Sequence, residues 1–120
     1  MTPSNKMTDL NGTRFASLNN SRNGEVGSET FFKYHEDGKV VWATYSGGTI
    51  LRGNMIGIRT APEELELRYQ HVNEDGRIKT GVCNTTIQLA EDGRLLLREK
   101  WRWTRDDCSE GESTLIEMPD

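Results

Sequence analysis

Three side chains that could exchange a proton or hold a polar ligand, Tyr69, His71 and Glu99, lie in β-rich stretches of this sequence. Alternation along "REKWRW" puts Glu99 on the same strand face as Trp101, where a carboxylate is costly unless it is paired or hydrogen-bonded. Two interpretations follow. Glu99 is a structural acid satisfied by Thr85, a tyrosine or a trapped water, or it is an acid whose pKa is raised by desolvation and which anchors a ligand.

The same residues do not form a recognisable catalytic set. Counting along the strands places His71 near a strand end and Glu99 deeper in the sheet, so a general acid–base pair would need a bridging substrate. No GxSxG elbow occurs, and the glycine-rich "YSGGTILRG" is a hairpin without the helix that would bind a phosphate. Cys83 and Cys108 form no CxxC unit and have no close histidine partner. We therefore predict no catalytic residue, no cofactor, no metal site and two free thiols.

Charge and hydropathy exclude several classes of function. The net charge is −4 and the mean hydropathy is −0.74. An acidic field repels phosphates, so the basic and aromatic stretch "LREKWRWTR" is interpreted as a solvated strand face. No apolar stretch is long enough to span a membrane, and no signal-peptide pattern opens the chain. We expect a soluble cytoplasmic protein with no nucleic-acid partner and no membrane partner.

Short runs rich in β-forming residues, separated by turn residues, predict eight strands. They cover residues 13–18, 28–35, 39–46, 49–58, 65–73, 77–89, 94–104 and 112–118. We expect the polar residues 1–9 to be a disordered extension and residues 10–120 to form a single domain.

The connections between these runs predict the topology. Short links join antiparallel neighbours, because a parallel return needs a crossover of about a dozen residues. Eight sequential antiparallel strands form a meander, which removes its exposed edges by closing on itself. The sequence thus predicts an all-β fold, an eight-stranded antiparallel up-and-down barrel of lipocalin or calycin type. A pair of packed sheets is the alternative.

The triplet Glu-Asp-Gly recurs before a basic residue at positions 36–38, 74–76 and 91–93. It fits a three-residue hairpin loop in which glycine takes a positive φ, so register follows by counting outward. The second and third triplets converge on one inward face, on which Thr85 pairs with Glu99. That face carries Leu65, Leu67, Tyr69, His71, Gly81, Cys83, Thr85, Ile87, Leu89, Leu95, Leu97, Glu99, Trp101 and Trp103.

The same count at positions 36–38 pairs Phe32 with Trp42. A two-residue turn at Gly47–Gly48 then sets Trp42 beside Gly53, which leaves room for the indole ring. Phe32 and Trp42 are therefore predicted to face inward.

The predicted lumen combines an apolar lining with a few polar groups that would orient a ligand. Its residues are Phe32, Trp42, Met55, Leu67, Tyr69, His71, Cys83, Glu99, Trp101 and Trp103. A second apolar set falls on the outer face, where it is either covered by long neighbouring side chains or forms a homodimer interface. Its members are Phe31, Val41, Tyr45, Ile50 and Ile56.

Three blocks, "GEVGSETFFKYHEDGKVVWATYSGGTILRGNMIG", "YQHVNEDGRIKTGVC" and "REKWRWTRDDCSEGES", resemble in this order a family of small bacterial proteins of unknown function. The resemblance covers nearly the whole chain from Leu10. It implies a small lipocalin-like antiparallel barrel and supplies no catalytic residues. Members of this family often carry the label N-acetylglutamate synthase.

Three functions follow from these patterns, in order of preference. The first is a non-enzymatic protein that binds a small apolar or amphipathic ligand, since an eight-stranded barrel can hold one such molecule. The second is a filled barrel that acts as a structural or interaction module. The third is an enzyme, using Glu99 and Tyr69 or acting as an acetyltransferase. An acetyltransferase of that label needs a mixed α/β fold and a glycine-rich loop at a helix start, and the sequence shows neither.

Overall fold

The computed structural model describes residues 9–21, 24–105 and 108–119, in which eight antiparallel strands pair in chain order and close into a barrel. The strands are β1 (Arg14–Asn20), β2 (Phe31–Asp37), β3 (Val40–Gly47), β4 (Ile50–Ala61), β5 (Glu64–Asn73), β6 (Ile78–Leu89), β7 (Leu95–Trp103) and β8 (Glu110–Met118). The predicted calycin-type meander barrel is confirmed, and the alternative of two separate sheets is wrong. The predicted disordered extension lies, except for Asp9, outside the described residues.

Strand β1 closes the barrel, because it pairs with both β2 and β8. Its pairing with β8 follows most of the strand and includes one register shift between Ser17 and Asn19. Its pairing with β2 covers only Arg14–Ala16. Beyond Ala16 the two strands are not paired with each other.

The two ends of the barrel differ. The lower end carries the turns at residues 38–39, 62–63 and 91–93. The upper end carries the turns at residues 48–49 and 74–76 and the described parts of two longer connections, residues 24–30 and residues 104–105 with 108–109. At the lower end, fully buried Leu10 donates its backbone N–H to Glu36 Oε1 at 3.0 Å. The Arg59 guanidinium holds the same carboxylate through Nε at 2.7 Å and Nη2 at 2.8 Å. The partly buried ion pair between Glu36 and Arg59 therefore closes the lower end of the barrel.

Aliphatic side chains fill the lower half of the lumen, because alternation points every second residue of each strand inward. The buried members are Val41, Leu65, Leu67, Ile87, Leu95, Leu97 and Leu115. Phe15 and Tyr34 add an edge-to-face ring contact with centroids 5.3 Å apart. Only the upper half is left for polar groups and empty space.

Two of the three Glu-Asp-Gly turns set register as predicted. The backbone N–H of Asn73 donates to Arg77 at 3.0 Å, and that of Ala90 donates to Arg94 at 2.8 Å. The glycines of these loops have φ values of 78° and 88°. All pairs counted outward from them are present, from Leu65–Thr85 to His71–Lys79 in one hairpin and from Leu89–Leu95 to Gly81–Trp103 in the other.

The turn at positions 36–38 differs from the prediction. Asp37 pairs with Val40, so the loop is the two-residue turn Gly38–Lys39, with Gly38 at a φ of 63° as its first residue. Strand β3 is shifted by three positions against β2, and Phe32 pairs with Tyr45 instead of Trp42. Because an odd shift exchanges the two faces of a strand, every side chain of β3 lies on the side opposite to the predicted one.

The predicted inward position of Trp42 is therefore wrong. Trp42 lies on the outer face, 37% exposed, and stacks on His35 with ring centroids 5.4 Å apart. Three of the five residues predicted for an outer homodimer surface, Val41, Tyr45 and Ile50, are instead buried inside the barrel. Phe31 and Ile56 are exposed as predicted, with Leu18, Val40, Leu51 and Ile58 as other exposed apolar side chains.

The upper end of β3 explains how its register continues into β4. The turn lies at residues 48–49, one position later than predicted, and the register shifts between Tyr45 and Gly47. Gly47 has a φ of 117°, and a Cβ on it would overlap the Glu29 carbonyl. Gly53 consequently pairs with Tyr45, and not with Trp42.

Three aromatic side chains lie over glycines of the neighbouring strand, which is the arrangement predicted for Trp42 and Gly53 but is formed here by other pairs. The pairs are Tyr45 over Gly53, Tyr69 over Gly81 and Trp101 over Gly111. A Cβ at any of these glycines would overlap the ring. Because glycine has no side chain, each of these positions leaves room for the ring from the adjacent strand.

The substitution Gly81→Ala tests this packing. Its new methyl group overlaps the Tyr69 ring and the Arg102 carbonyl, so we expect a loss of roughly 1–3 kcal/mol in the free energy of unfolding. Gly27→Ala is the matched control, because nothing lies within 4 Å of its Cβ position. Urea denaturation of both variants measures the difference, and equal stabilities would contradict the proposed ring packing.

Candidate functional site

The upper half of the lumen holds a cavity of about 40 Å³. Its lining residues are Asn20, Gly24, Glu25, Val26, Phe32, Tyr45, Met55, Tyr69, His71, Cys83, Glu99, Trp101, Trp103 and Ser113. Of the predicted lumen residues, Leu67 is buried below this space and Trp42 lies outside the barrel. The other eight predicted residues line the cavity. Its volume is sufficient for roughly three water molecules.

Glu99 lies at the floor of the cavity. It is 7% exposed, and its Oε1 accepts a hydrogen bond from Ser113 Oγ at 2.8 Å. Its Oε2 is buried and has no hydrogen-bond partner among the described residues. The predicted partner Thr85 pairs with Glu99 through the backbone, but its hydroxyl contacts Cys83 Sγ at 3.4 Å. One oxygen of this carboxyl group is hydrogen-bonded, and the other is buried near the Tyr34 hydroxyl without a hydrogen bond of good geometry from the described residues.

Burial governs the protonation of Glu99. Desolvation raises its pKa from the ordinary value of 4.5 to about 7, while the hydrogen bond from Ser113 and the nearby Tyr34 hydroxyl act in the opposite direction. Near neutral pH the carboxyl group can therefore present either a proton or a negative charge to the cavity at little cost.

The tyrosines of the lumen are donors. Tyr34 donates to Met55 Sδ at 3.4 Å, and the Tyr45 hydroxyl lies 2.9 Å from His71 Nδ1. Burial raises the pKa of Tyr34, Tyr45 and Tyr69 well above the ordinary value of 10. These hydroxyls stay protonated near neutral pH, so they can orient a ligand but cannot act as general bases.

His71 forms the upper rim of the cavity with partners that the sequence did not predict. Its Nε2 lies 2.8 Å from Glu25 Oε1, and Asn73 Nδ2 donates to the same carboxylate at 3.2 Å to Oε2. The side chain of His71 is 1% exposed. Burial lowers its pKa below the ordinary 6.5, although the Glu25 contact raises it. His71 does not face Glu99 as an acid–base pair, in line with the prediction from strand spacing.

The aromatic wall of the cavity connects its floor to its rim. The rings of Trp101 and Trp103 are 5.5 Å apart, and Trp103 contacts Tyr69 at 5.7 Å and His71 at 5.8 Å. The indole N–H of Trp101 donates to Asn20 Oδ1 at 3.1 Å. This surface suits a flat, largely apolar ligand body.

Sequence reasoning missed four polar residues of the site: Asn20, Glu25, Tyr45 and Ser113. Tyr45 was assigned to the wrong face by the register error in β3. Asn20 and Glu25 belong to the β1–β2 connection and its boundary, where no periodicity indicates direction. Ser113 could have been found by continuing the count from β7 into β8, where it pairs with Glu99.

The described residues contain no metal site, no disulfide and no membrane-spanning helix. They include no group of three His, Cys, Asp or Glu side chains placed to hold a metal ion. Both cysteines are free thiols, Cys83 buried and Cys108 exposed. None of the described residues belongs to a helix long and apolar enough to cross a membrane.

The fold and the lined lumen define the class of this protein, a calycin-type antiparallel barrel with an internal cavity. Residues 8–118 match the avidin-like protein family, and the chain belongs to that family. The predicted resemblance to small β-barrel proteins is thereby confirmed at the level of the barrel, and the comparisons do not address the synthase label.

A solved structure supports the same fold. The chain is similar to the structure described as "X-ray structure of biotin binding protein from chicken", with a TM-score of 0.61 and 12% sequence identity over 93% of this chain and 99% of that chain. At this identity the similarity shows the fold alone. No curated protein matches the chain.

The substitution Glu99→Gln tests the burial of the carboxyl group. Because the pKa of Glu99 is raised to about 7, its contribution to stability is complete below pH 4.5 and is lost as the pH rises through about 7. The variant cannot ionise, so wild type should lose roughly 3 kcal/mol relative to it between acidic and mildly alkaline pH. Urea denaturation across this range measures the difference, and parallel stability curves would contradict a buried, titrating Glu99.

Proposed function

We propose that this protein binds a small ligand in the upper half of its lumen and does not transform it chemically. Support comes from membership of the avidin-like family and from the similar chicken structure, which is described as a biotin-binding protein. It also comes from the combination of an aromatic wall with a few polar groups at its two ends, which is typical of ligand sites.

The observation that carries the proposal is the unpartnered Oε2 of Glu99. A buried polar atom without a partner costs free energy, and native structures keep very few of them. A ligand with an N–H or O–H donor at its inner end would satisfy this atom. The indole rings of Trp101 and Trp103 would then pack against the apolar body of the ligand.

Biotin is the first ligand to test, because the similar chicken protein is described as biotin-binding. Biotin carries ureido N–H donors, which complement the Glu99 carboxylate, beside a compact apolar ring system, which complements the indole wall. A ligand of this size needs more than the present 40 Å³, so the segment at residues 24–26, which covers the cavity, has to move outward on binding.

Isothermal titration calorimetry with biotin, together with native mass spectrometry of the freshly purified protein, tests the proposal. We expect a bound small molecule or measurable biotin binding, and at least a tenfold loss of affinity in Glu99→Gln, since a charged hydrogen bond contributes about 1.5–3 kcal/mol. Glu64→Gln, an exposed position on β5, is the matched control. A clean ligand-free mass with no binding of biotin or of lipophilic probes would refute lumen binding.

The pH dependence of binding follows from the same carboxyl group. A ligand that donates a hydrogen bond prefers ionised Glu99, and with a pKa of about 7 the ionised fraction rises from about one tenth near pH 6 to about nine tenths near pH 8. We therefore expect affinity to increase about tenfold over this range in wild type and to stay flat in Glu99→Gln. Titrations at several pH values measure this dependence. An affinity that falls with rising pH would show that the ligand instead accepts a hydrogen bond from protonated Glu99.

A filled barrel that acts as a structural or interaction module is the second candidate. The small volume of the cavity favours it, because side chains already occupy most of the lumen. The mass-spectrometric experiment separates the two, since a filled barrel retains no ligand and takes up none. The enzyme interpretation finds less support, because the raised pKa of Tyr69 keeps it from acting as a general base near neutral pH.

The homodimer interface, one of two interpretations that the sequence left open for the outer apolar set, stays a proposal with a revised surface. On the outer face, Trp42 pairs with Ile56 and Val40 with Ile58, and all four side chains are exposed. We propose that a second copy of the chain covers this patch. Sedimentation velocity of wild type and Ile56→Lys tests the proposal: a dimer that dissociates in the variant supports it, and a wild-type monomer at high concentration contradicts it.

A further inference from the structure

We propose that the cavity in the upper half of the lumen is a site for a small organic cation, an alkylammonium group, with the Glu99 carboxylate as its counter-ion and the surrounding aromatic rings as its walls. The inference rests on the proposed function, since it names the chemical class of the group that reaches the floor of the same cavity.

The charged side chains that line the cavity are acidic. Glu99 lies at its floor and Glu25 at its rim, and none of the described lining residues is a lysine or an arginine. Burial lowers the pKa of His71 below the ordinary 6.5, which favours its neutral imidazole. The Lys79 ammonium is not part of the lining and lies 5.1 Å from the centroid of the Trp103 ring. The lining therefore favours a cation over an anion.

Glu99 lacks the cation that offsets the charge of Glu36 at the other end of the barrel. Glu36 is held by the Arg59 guanidinium at 2.7 Å, and its pKa is lowered. Glu99 accepts only from the neutral Ser113 hydroxyl, and its Oε2 has no hydrogen-bond partner among the described residues. The nearby Tyr34 hydroxyl is also neutral, so it cannot offset a buried charge. A bound ammonium would supply both the missing donor and the missing positive charge.

Aromatic side chains form the walls of the space above Glu99. They are Phe32, Tyr45, Tyr69, Trp101 and Trp103. The Trp103 ring stands at 55° to Trp101 and at 67° to Tyr69, with centroids 5.5 and 5.7 Å apart. Rings at such angles form different walls of one space instead of a single stack. The electron-rich face of an aromatic ring attracts a cation within about 6 Å, and tryptophan does so most strongly.

The size of the cavity limits the cation. A volume of about 40 Å³ has room for roughly three non-hydrogen atoms, which is the size of ethylammonium. The connection above the cavity can keep its contacts, because Val26 packs on the core and its carbonyl accepts from Asn20 Nδ2 at 3.0 Å. A small ammonium therefore fits the cavity as it stands.

A titration with ethylammonium chloride tests the site, with ethanol as the neutral probe of the same size. The chain has three tryptophans, so the indole N–H signals of Trp101 and Trp103 can be followed by NMR, with Trp42 on the outer face as an internal reference. The titration is done at about pH 8, where Glu99, with a pKa of about 7, is mostly ionised and a primary amine keeps its proton. Potassium chloride holds the ionic strength constant.

We expect saturable shifts of the Trp101 and Trp103 signals with a Kd on the order of 1 mM, since so few atoms limit the affinity. Ethanol should bind at least about tenfold more weakly than ethylammonium, because it carries no charge. Glu99→Gln should lose about tenfold or more in ethylammonium affinity. Glu64→Gln, which removes an exposed acid from β5, is the matched control and should bind as wild type does.

A second pair of variants tests the aromatic walls. Tyr69→Phe keeps the ring and should bind ethylammonium as wild type does. Tyr69→Leu removes the ring and should weaken binding at least about threefold. Circular dichroism confirms that each variant is folded, and the comparison of the two probes on wild type does not depend on any variant.

Four results would overturn the inference: no saturable shift of the Trp101 and Trp103 signals, equal affinity for ethanol, full affinity in Glu99→Gln, or full affinity in Tyr69→Leu. Biotin binding by a protein that binds no ethylammonium would refute the cation class and leave the proposed function standing. A protein that binds neither, and that carries no ligand in native mass spectrometry, would refute both.

Discussion

Pairing of β1 with β8 closes the sheet, and in a closed sheet each side chain points either into the lumen or into solvent. Everything described for the site depends on this constraint. It encloses in one lumen the side chains of Glu99 and Ser113, which pair across β7 and β8, and the aromatic rings that lie over glycines of neighbouring strands. It also makes register decisive, because a shift by an odd number of residues exchanges the two faces of a strand.

The lumen is divided into an apolar lower half and a polar upper half. Leu10 and the Glu36–Arg59 pair close the lower end, and burial of the Glu36 carboxylate is offset by the Arg59 guanidinium, so the pKa of Glu36 is lowered. No comparable cation faces Glu99 in the described residues, and its pKa is raised by desolvation. A carboxylate with a full set of partners, such as Glu36, has a structural role. A carboxylate that lacks a partner, such as Glu99, is a candidate anchor for a ligand.

Much of the fold could be predicted from turn chemistry and alternation. The hairpins at residues 74–76 and 91–93 use glycine at the last loop position, so counting outward placed Trp101, Trp103 and Glu99 correctly. The identical triplet at residues 36–38 forms a shorter turn, with Gly38 as its first loop residue. There Glu36 is recruited by Leu10 and Arg59, which are distant in sequence, so a local motif could not predict the register.

By itself the sequence determined the strand count, the meander and the inward face of β5, β6 and β7 apart from Leu89, which is 48% exposed, because these follow from periodicity and short connections between neighbours in the chain. Only the tertiary structure decided the face of β3 and the contact between Glu25 and His71, which are 46 residues apart. The physical reason is that both involve residues that are distant in the sequence. Glu36 beside the β2–β3 turn contacts Leu10 and Arg59, and Glu25 reaches β5 from an irregular connection that no local pattern relates to that strand.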